Sequence, residues 1–142
     1  MLLDPRPRLT PAIERVMLDL CAAIPELSGI DPASILVVGL AAHGTAAASV
    51  RELSRIARGV SIEGHRRSIE LGLRPPFFLD GDASRRLGTL IHELLHIDPA
   101  DPARLLDDNR HDKKSHAALE REARALAARY LERSDPAGLL CL

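Results

Sequence analysis

The residues of this chain best suited to chemistry are His92, Glu93 and His96, which stand together in the run His92-Glu93-Leu94-Leu95-His96. Residues four apart on an α-helix lie one turn above each other, so both imidazoles can aim at one point on one face. Zinc accepts two such nitrogens at about 2.0–2.1 Å. Glu93 points aside from that axis, where its carboxylate can reach a water held by the metal without itself ligating it. A carboxylate so placed can serve as general base. The chemistry implied is hydrolysis with Zn2+ as cofactor.

A catalytic zinc takes a third protein ligand and leaves its fourth position open. Three downstream residues have the right chemistry: His111, His116 and Glu120. Asp107, Asp108 and Asp112 could accept from the far N–H of a ligating imidazole and hold its tautomer, although an aspartate-rich loop is more often only solvated.

These side chains need a rigid carrier. The spacing predicts a helix over about 83–97, capped by Asp82 and halted by Asp98-Pro99. Leu87, Leu90, Ile91, Leu94 and Leu95 give it an apolar stripe that anchors it in the core, with the histidines facing a cleft. Arg85 and Arg86 read as a solvated face. Gly88 lies one turn before His92. A glycine inside a helix costs about 1 kcal/mol against alanine, and room for a substrate or loop to approach the metal is a functional offset. Gly88→Leu with fold and activity intact would refute that reading.

Around this helix the pattern predicts an N-terminal helix opened by Thr10-Pro11, buried through Ile13, Val16, Met17, Leu20 and Ile24, and ending near Pro25. A turn over 29–32 and a buried strand over 34–39 follow. Residues 41–58 fit strand or helix. Val60 and Ile62, then Ile69, Leu71 and Leu73, alternate with polar residues about a turn at Gly64-His65-Arg66 and read as a β-hairpin. Pro75-Pro76 stops strand pairing, and Phe77-Phe78-Leu79 carries the chain inward. Residues 98–110 form a polar loop. A last helix over about 112–133 puts Leu119, Ala123, Leu126, Ala127, Tyr130 and Leu131 on one stripe, so Tyr130 is a packing residue. His43 and His65 sit beside glycines and read as surface residues.

The expected fold class is α+β: one domain over 1–142 with an N-terminal helix, a short, mainly antiparallel sheet, the motif helix and a closing helix. Residues 1–9 and 135–142 are read as flexible. Lys+Arg 19 against Asp+Glu 20, with a net charge of −1, leaves no basic surplus for a phosphate backbone, and aromatic residues at 2% offer few stacking platforms. Nucleic acid is therefore not expected as a partner. The charged, proline-broken N-terminus and the lack of a long apolar run predict no membrane contact and a cytoplasmic protein. Cys21 and Cys141 are isolated and form no metal knuckle.

From about Phe77 to Leu131, roughly the last two fifths of the chain, the sequence resembles the zincin metallopeptidases. It is similar especially to the compact metallopeptidases of phage and prokaryotic genomes, alongside the SprT-like and WLM families. In these, a further histidine opens the helix after the motif, and Arg110-His111-Asp112-Lys113-Lys114 is similar to that element. The resemblance implies His111 as third zinc ligand, with His92 and His96, and Glu93 as catalytic residue. The aromatic residue usual after that histidine is replaced by Ser115-His116. A gluzincin pattern would use Glu120 instead. The resemblance further implies a peptide or protein substrate, lying along an edge strand expected at 68–79, and leaves room for a regulatory protein partner. A zinc-stabilised interaction or regulatory domain without turnover is the alternative.

Overall fold

The computed structural model describes residues 10–40, 46–53, 61–62, 65–79, 82–106 and 113–133. Helix α1 (Thr10–Ala23) is followed by strands β1 (Ile35–Gly39), β2 (Ala48–Glu52), β3 (Ser61–Ile62), β4 (His65–Arg66) and β5 (Ile69–Leu73), then helices α2 (Pro75–Leu79), α3 (Ala83–Leu94) and α4 (Lys113–Arg133). The architecture is mixed α+β. Among the described residues no helix is long and apolar enough to cross a membrane.

The apolar periodicity of α1 is realised: Ile13, Val16, Met17, Leu20 and Ile24 are all buried. Each such side chain contributes roughly 1.5–3 kcal/mol by leaving water. They join one core cluster with Leu71 and Leu73 of β5, Leu87, Leu90, Ile91 and Leu94 of α3, and Ala123, Leu126 and Tyr130 of α4. Tyr130 also donates its hydroxyl to Asp19, tying α4 to α1.

The sheet departs from the sequence reading. Its order is β1-β5-β2, with β5 parallel to β1 and antiparallel to β2, so it is mixed and not mainly antiparallel. The expected hairpin shrinks to β3 and β4, which pair Ser61 with Arg66 and Ile62 with His65. Ile69–Leu73 leaves that hairpin and fills the slot between β1 and β2. The reason is burial: every residue of β5 is buried, which a two-stranded ribbon could not provide. Even Glu70 is enclosed, paired at 2.7 Å with Arg51 directly across on β2. Buried Arg67 donates from Nη1 to the carbonyls of Ala33 and Ile35 and so fixes the start of β1. A Cβ on Gly72 would come within 2.2 Å of the Leu40 side chain, which would then have to move.

After β5, Pro75-Pro76 opens the short helix α2 instead of merely ending a strand, as the fixed φ of proline favours in a first helical turn. Phe77 is buried, but Leu79 stays exposed. Asp82 then caps α3, accepting from the N–H groups of Ser84 and Arg85 at 2.9 and 3.4 Å. Arg86 corrects the solvated-face reading. It is buried and donates to the Phe78 carbonyl at 3.0 Å, so α2 is pinned to α3. Arg85 is exposed.

Helix α3 ends at Leu94, three residues earlier than the stop signal suggested, because its hydrogen bonds tighten. Leu95 N–H still reaches Ile91, but His96 N–H donates to Glu93 and Ile97 N–H to Leu94. The segment after it is folded rather than merely polar. Ile97 bridges Leu105, Leu106 N–H donates to the His96 carbonyl at 2.7 Å, and the Asp98 and Asp101 carboxylates accept from Ala100 and Ala103 N–H within the turns. Gly29 lets this segment approach, since a Cβ on it would lie 2.6 Å from the Pro99 carbonyl oxygen.

Candidate metal centre

His92 and Glu93 lie on the last turns of α3, and His96 lies in the tightened turn just beyond. Tightening does not separate the histidines: His92 Nε2 and His96 Nε2 stand 3.2 Å apart. Two nitrogens on a tetrahedral zinc at 2.0–2.1 Å are about 3.3 Å from each other, so the pair already has the spacing of one edge of a coordination shell. Those two nitrogens suit one edge of such a shell, and a third donor would have to complete it. Burial holds the His92 imidazole below its usual pKa, the neighbouring His116 adds to that, and Glu120 opposes it. A neutral ring keeps a lone pair free for a metal.

Glu120 takes a place the sequence reading had not given it. Its Oε1 lies 2.7 Å from His92 Nδ1, the ring nitrogen turned away from His96. The approach is short but off the line of a well-directed hydrogen bond. A carboxylate on that side of the ring orients a ligating histidine rather than ligating the metal itself. His116, four residues earlier on α4, has its ring centroid 5.1 Å from that of His92, while the His92–His96 centroids are 5.0 Å apart. His116 and Glu120 thus repeat on α4 the spacing of His92 and His96, and that i, i+4 pair was the signal by which both could have been placed together from sequence.

His111, expected as the third ligand, lies outside the described residues, as do Asp107, Asp108, Asp112, His43, Cys141 and the two tails. Among the described residues no three His, Cys, Asp or Glu side chains form a ready-made metal site.

Glu93 is nearly enclosed, and its carboxyl is pushed up to about 8, first by burial, then by repulsion from Glu120, with Arg74 acting in the opposite direction. Arg74, just after β5, was not singled out in the sequence. It donates to Ser49 Oγ of β2 at 3.0 Å, and its buried Nε has no hydrogen-bond partner among the described residues. No local pattern marks it, because its partners come from β2 and α3.

The cleft over these groups has a volume of about 340 Å³, and His92, Glu93, His96 and His116 face Ala48, Ser49 and Val50 of β2 across it, with Leu105 and Leu106 closing one side. The strand beside the site is therefore β2. The 68–79 segment cannot be the edge strand, since β5 is central and paired on both sides. Comparison with known proteins adds no relative: no family model, curated protein or solved structure matches the chain.

Proposed function

We propose that this chain is a zinc-dependent hydrolase of the metallopeptidase kind, with a zincin-like arrangement in which His92 and His96 hold the metal and Glu93 is the catalytic base. The observation that carries this reading is the 3.2 Å approach of the two Nε2 atoms next to an enclosed carboxylate. His92 is buried and both rings line a cleft, unlike two solvated surface histidines. The resemblance assigns the third ligand to His111. A specific observation favours His116 for that place, namely its ring packed as close to His92 as His96 is and lining the same cleft.

When bound, zinc would act as a Lewis acid on the substrate carbonyl and lower the pKa of water toward neutrality. The chain's own groups do the rest. Glu93, whose carboxyl is raised to about 8 in the metal-free protein, acts in its ionised form, which the charge of a bound zinc would favour. The carboxylate takes a proton from the attacking water and returns it to the leaving amine. Glu120 steadies the His92 ring from Nδ1. Strand β2, unpaired by strands on its outer side among the described residues, offers backbone groups to an extended peptide. A peptidase acting on peptides or on one protein partner fits these parts.

Elemental analysis and peptide hydrolysis test the reading together. Wild-type protein loaded with zinc and dialysed should hold about one ion per chain, and Glu93→Gln should keep the ion while losing roughly 10²–10⁴ in hydrolysis rate. His92→Ala and His96→Ala should lose the ion. Of His111→Ala and His116→Ala, the one that weakens zinc binding identifies the third ligand. A protein that takes up no zinc ends this reading, and hydrolysis undiminished in Glu93→Gln removes the role of that residue.

A further inference from the structure

Behind the metal centre, α3 and α4 enclose a second recess of about 430 Å³, lined by Ser84, Arg85, Gly88, Thr89, Glu120 and Arg124. Ser84, Gly88 and His92 are spaced by four, so the recess continues the same face of α3, one turn of about 6 Å before His92. Gly88 is its floor. The residue is buried in the middle of the helix, yet a Cβ placed on it would meet nothing within 4 Å. Packing among the described residues therefore does not require glycine there, and its cost in helix stability is offset by no contact among them. A group entering the recess would lie against bare helix backbone.

The walls say what kind of group. Arg85 and Arg124 come from facing helices, and Ser84 and Thr89 add hydroxyl donors. Arg85 has only a long 3.9 Å approach to exposed Asp82, and no ion pair of Arg124 is found among the described residues. Glu120 supplies the one carboxylate of the lining, and its Oε1 is engaged at His92 Nδ1. Asp82 already satisfies the first N–H groups of α3, so attraction for an anion comes from the guanidinium groups and not from the helix end. Isolated exposed arginines contribute little. Two lining one recess together with hydroxyl donors offer the charge-assisted contacts that a carboxylate accepts best.

We infer that this recess is a subsite for a carboxylate, and that the occupant is an acidic side chain of a peptide lying in the neighbouring cleft. The 6 Å from His92 to Gly88 corresponds to about two residues of extended chain, so an aspartate or glutamate close to the bond held at the metal centre reaches it. The peptide as occupant rests on the reading of the metal centre as a hydrolase site, whereas the carboxylate preference does not.

Binding measured in chelator, where no metal-dependent turnover runs, keeps the two apart. The probe is a fluorescein-labelled alanine-rich hexapeptide with a single glutamate, set against the same peptide with glutamine, by anisotropy on the full wild-type chain. The glutamate peptide should bind about ten-fold tighter, a difference typical of one charge-assisted contact. Arg124→Gln and Arg85→Gln should each bring the two peptides to within about two-fold, and Gly88→Leu should do the same by filling the recess while its thermal unfolding stays cooperative. Equal affinities in wild type, or a preference that survives Arg124→Gln, overturns the subsite. Free glutarate binding more tightly than the peptide overturns the peptide as occupant. If zinc uptake fails but the glutamate preference holds, the hydrolase reading falls and the subsite stands.

Discussion

Along α3, Leu87, Leu90, Ile91 and Leu94 are wholly enclosed at 0% exposure, whereas on the next faces round the same helix His92 and Glu93 are nearly as enclosed, at 6% and 9%, with polar groups to satisfy. The first set needs only shape. The second has a repelled carboxylate at Glu93, a misaligned contact at His92 Nδ1 and a glycine that no contact among the described residues requires. Burying polar groups this incompletely costs stability. The difference teaches that one face of the helix holds it in place, while the other keeps polar groups whose burial packing alone does not explain.

The largest effect should come from breaking the apolar face. Leu90→Ala is expected to cost about 2–5 kcal/mol through lost burial and the cavity left behind, read as a lower urea midpoint with an unchanged slope. A loss under about 1 kcal/mol would mean that this face is not the anchor.

On the polar face the sign should reverse. In metal-free protein the Glu93 carboxyl is raised from 4.5 to about 8, so the folded state favours its protonated form. Its contribution is fully present below pH 4.5, declines as pH rises from there, and is lost above about 8, at up to roughly 1.4 kcal/mol per pH unit. His92, lowered from 6.5, acts oppositely below pH 6.5, and the cleanest window is therefore between 6.5 and 8. With chelator present, wild type should lose stability across that window while Glu93→Gln holds level and is the more stable protein at pH 8. Parallel curves for the two would remove the contrast between the faces.

The smallest effect sharpens the same comparison. Because a Cβ at Gly88 meets open space, Gly88→Ala should stabilise the protein by about 0.5–1 kcal/mol, the helix propensity difference alone. A destabilised variant would show that the recess is filled by the chain itself.

Much of this could be read from local pattern. The extent of α1, strand β1, the Asp82 cap, the leucine stripe of α3 and the Leu119 to Tyr130 stripe of α4 follow from periods of two or 3.6 and from end signals, which neighbours a few residues away decide. The convergence of His92 and His96 belongs to the same class, since their spacing is set by one turn of helix. Cys21 is buried, and burial together with the charge of Asp31 pushes its thiol up to about 11, which disfavours the thiolate. What local pattern misjudged depended on distant partners. Ile69–Leu73 alternates like a hairpin arm, yet it gains more from burial between β1 and β2, which the alternation of one strand does not encode. Arg86 looks solvated beside Arg85, yet the Phe78 carbonyl lies against it only because α2 folds back there.

The sequence by itself determined two histidines and a glutamate on one helix, backed by leucines, because those relations span a few residues and are dictated by helix geometry. Only the tertiary structure decided what surrounds them: β2 as the strand beside the site, Glu120 and His116 brought to His92 from α4, Arg74 set against Glu93, and the arginine-lined recess behind. Each of those contacts joins residues far apart in the chain, and each is chosen by how the whole core packs.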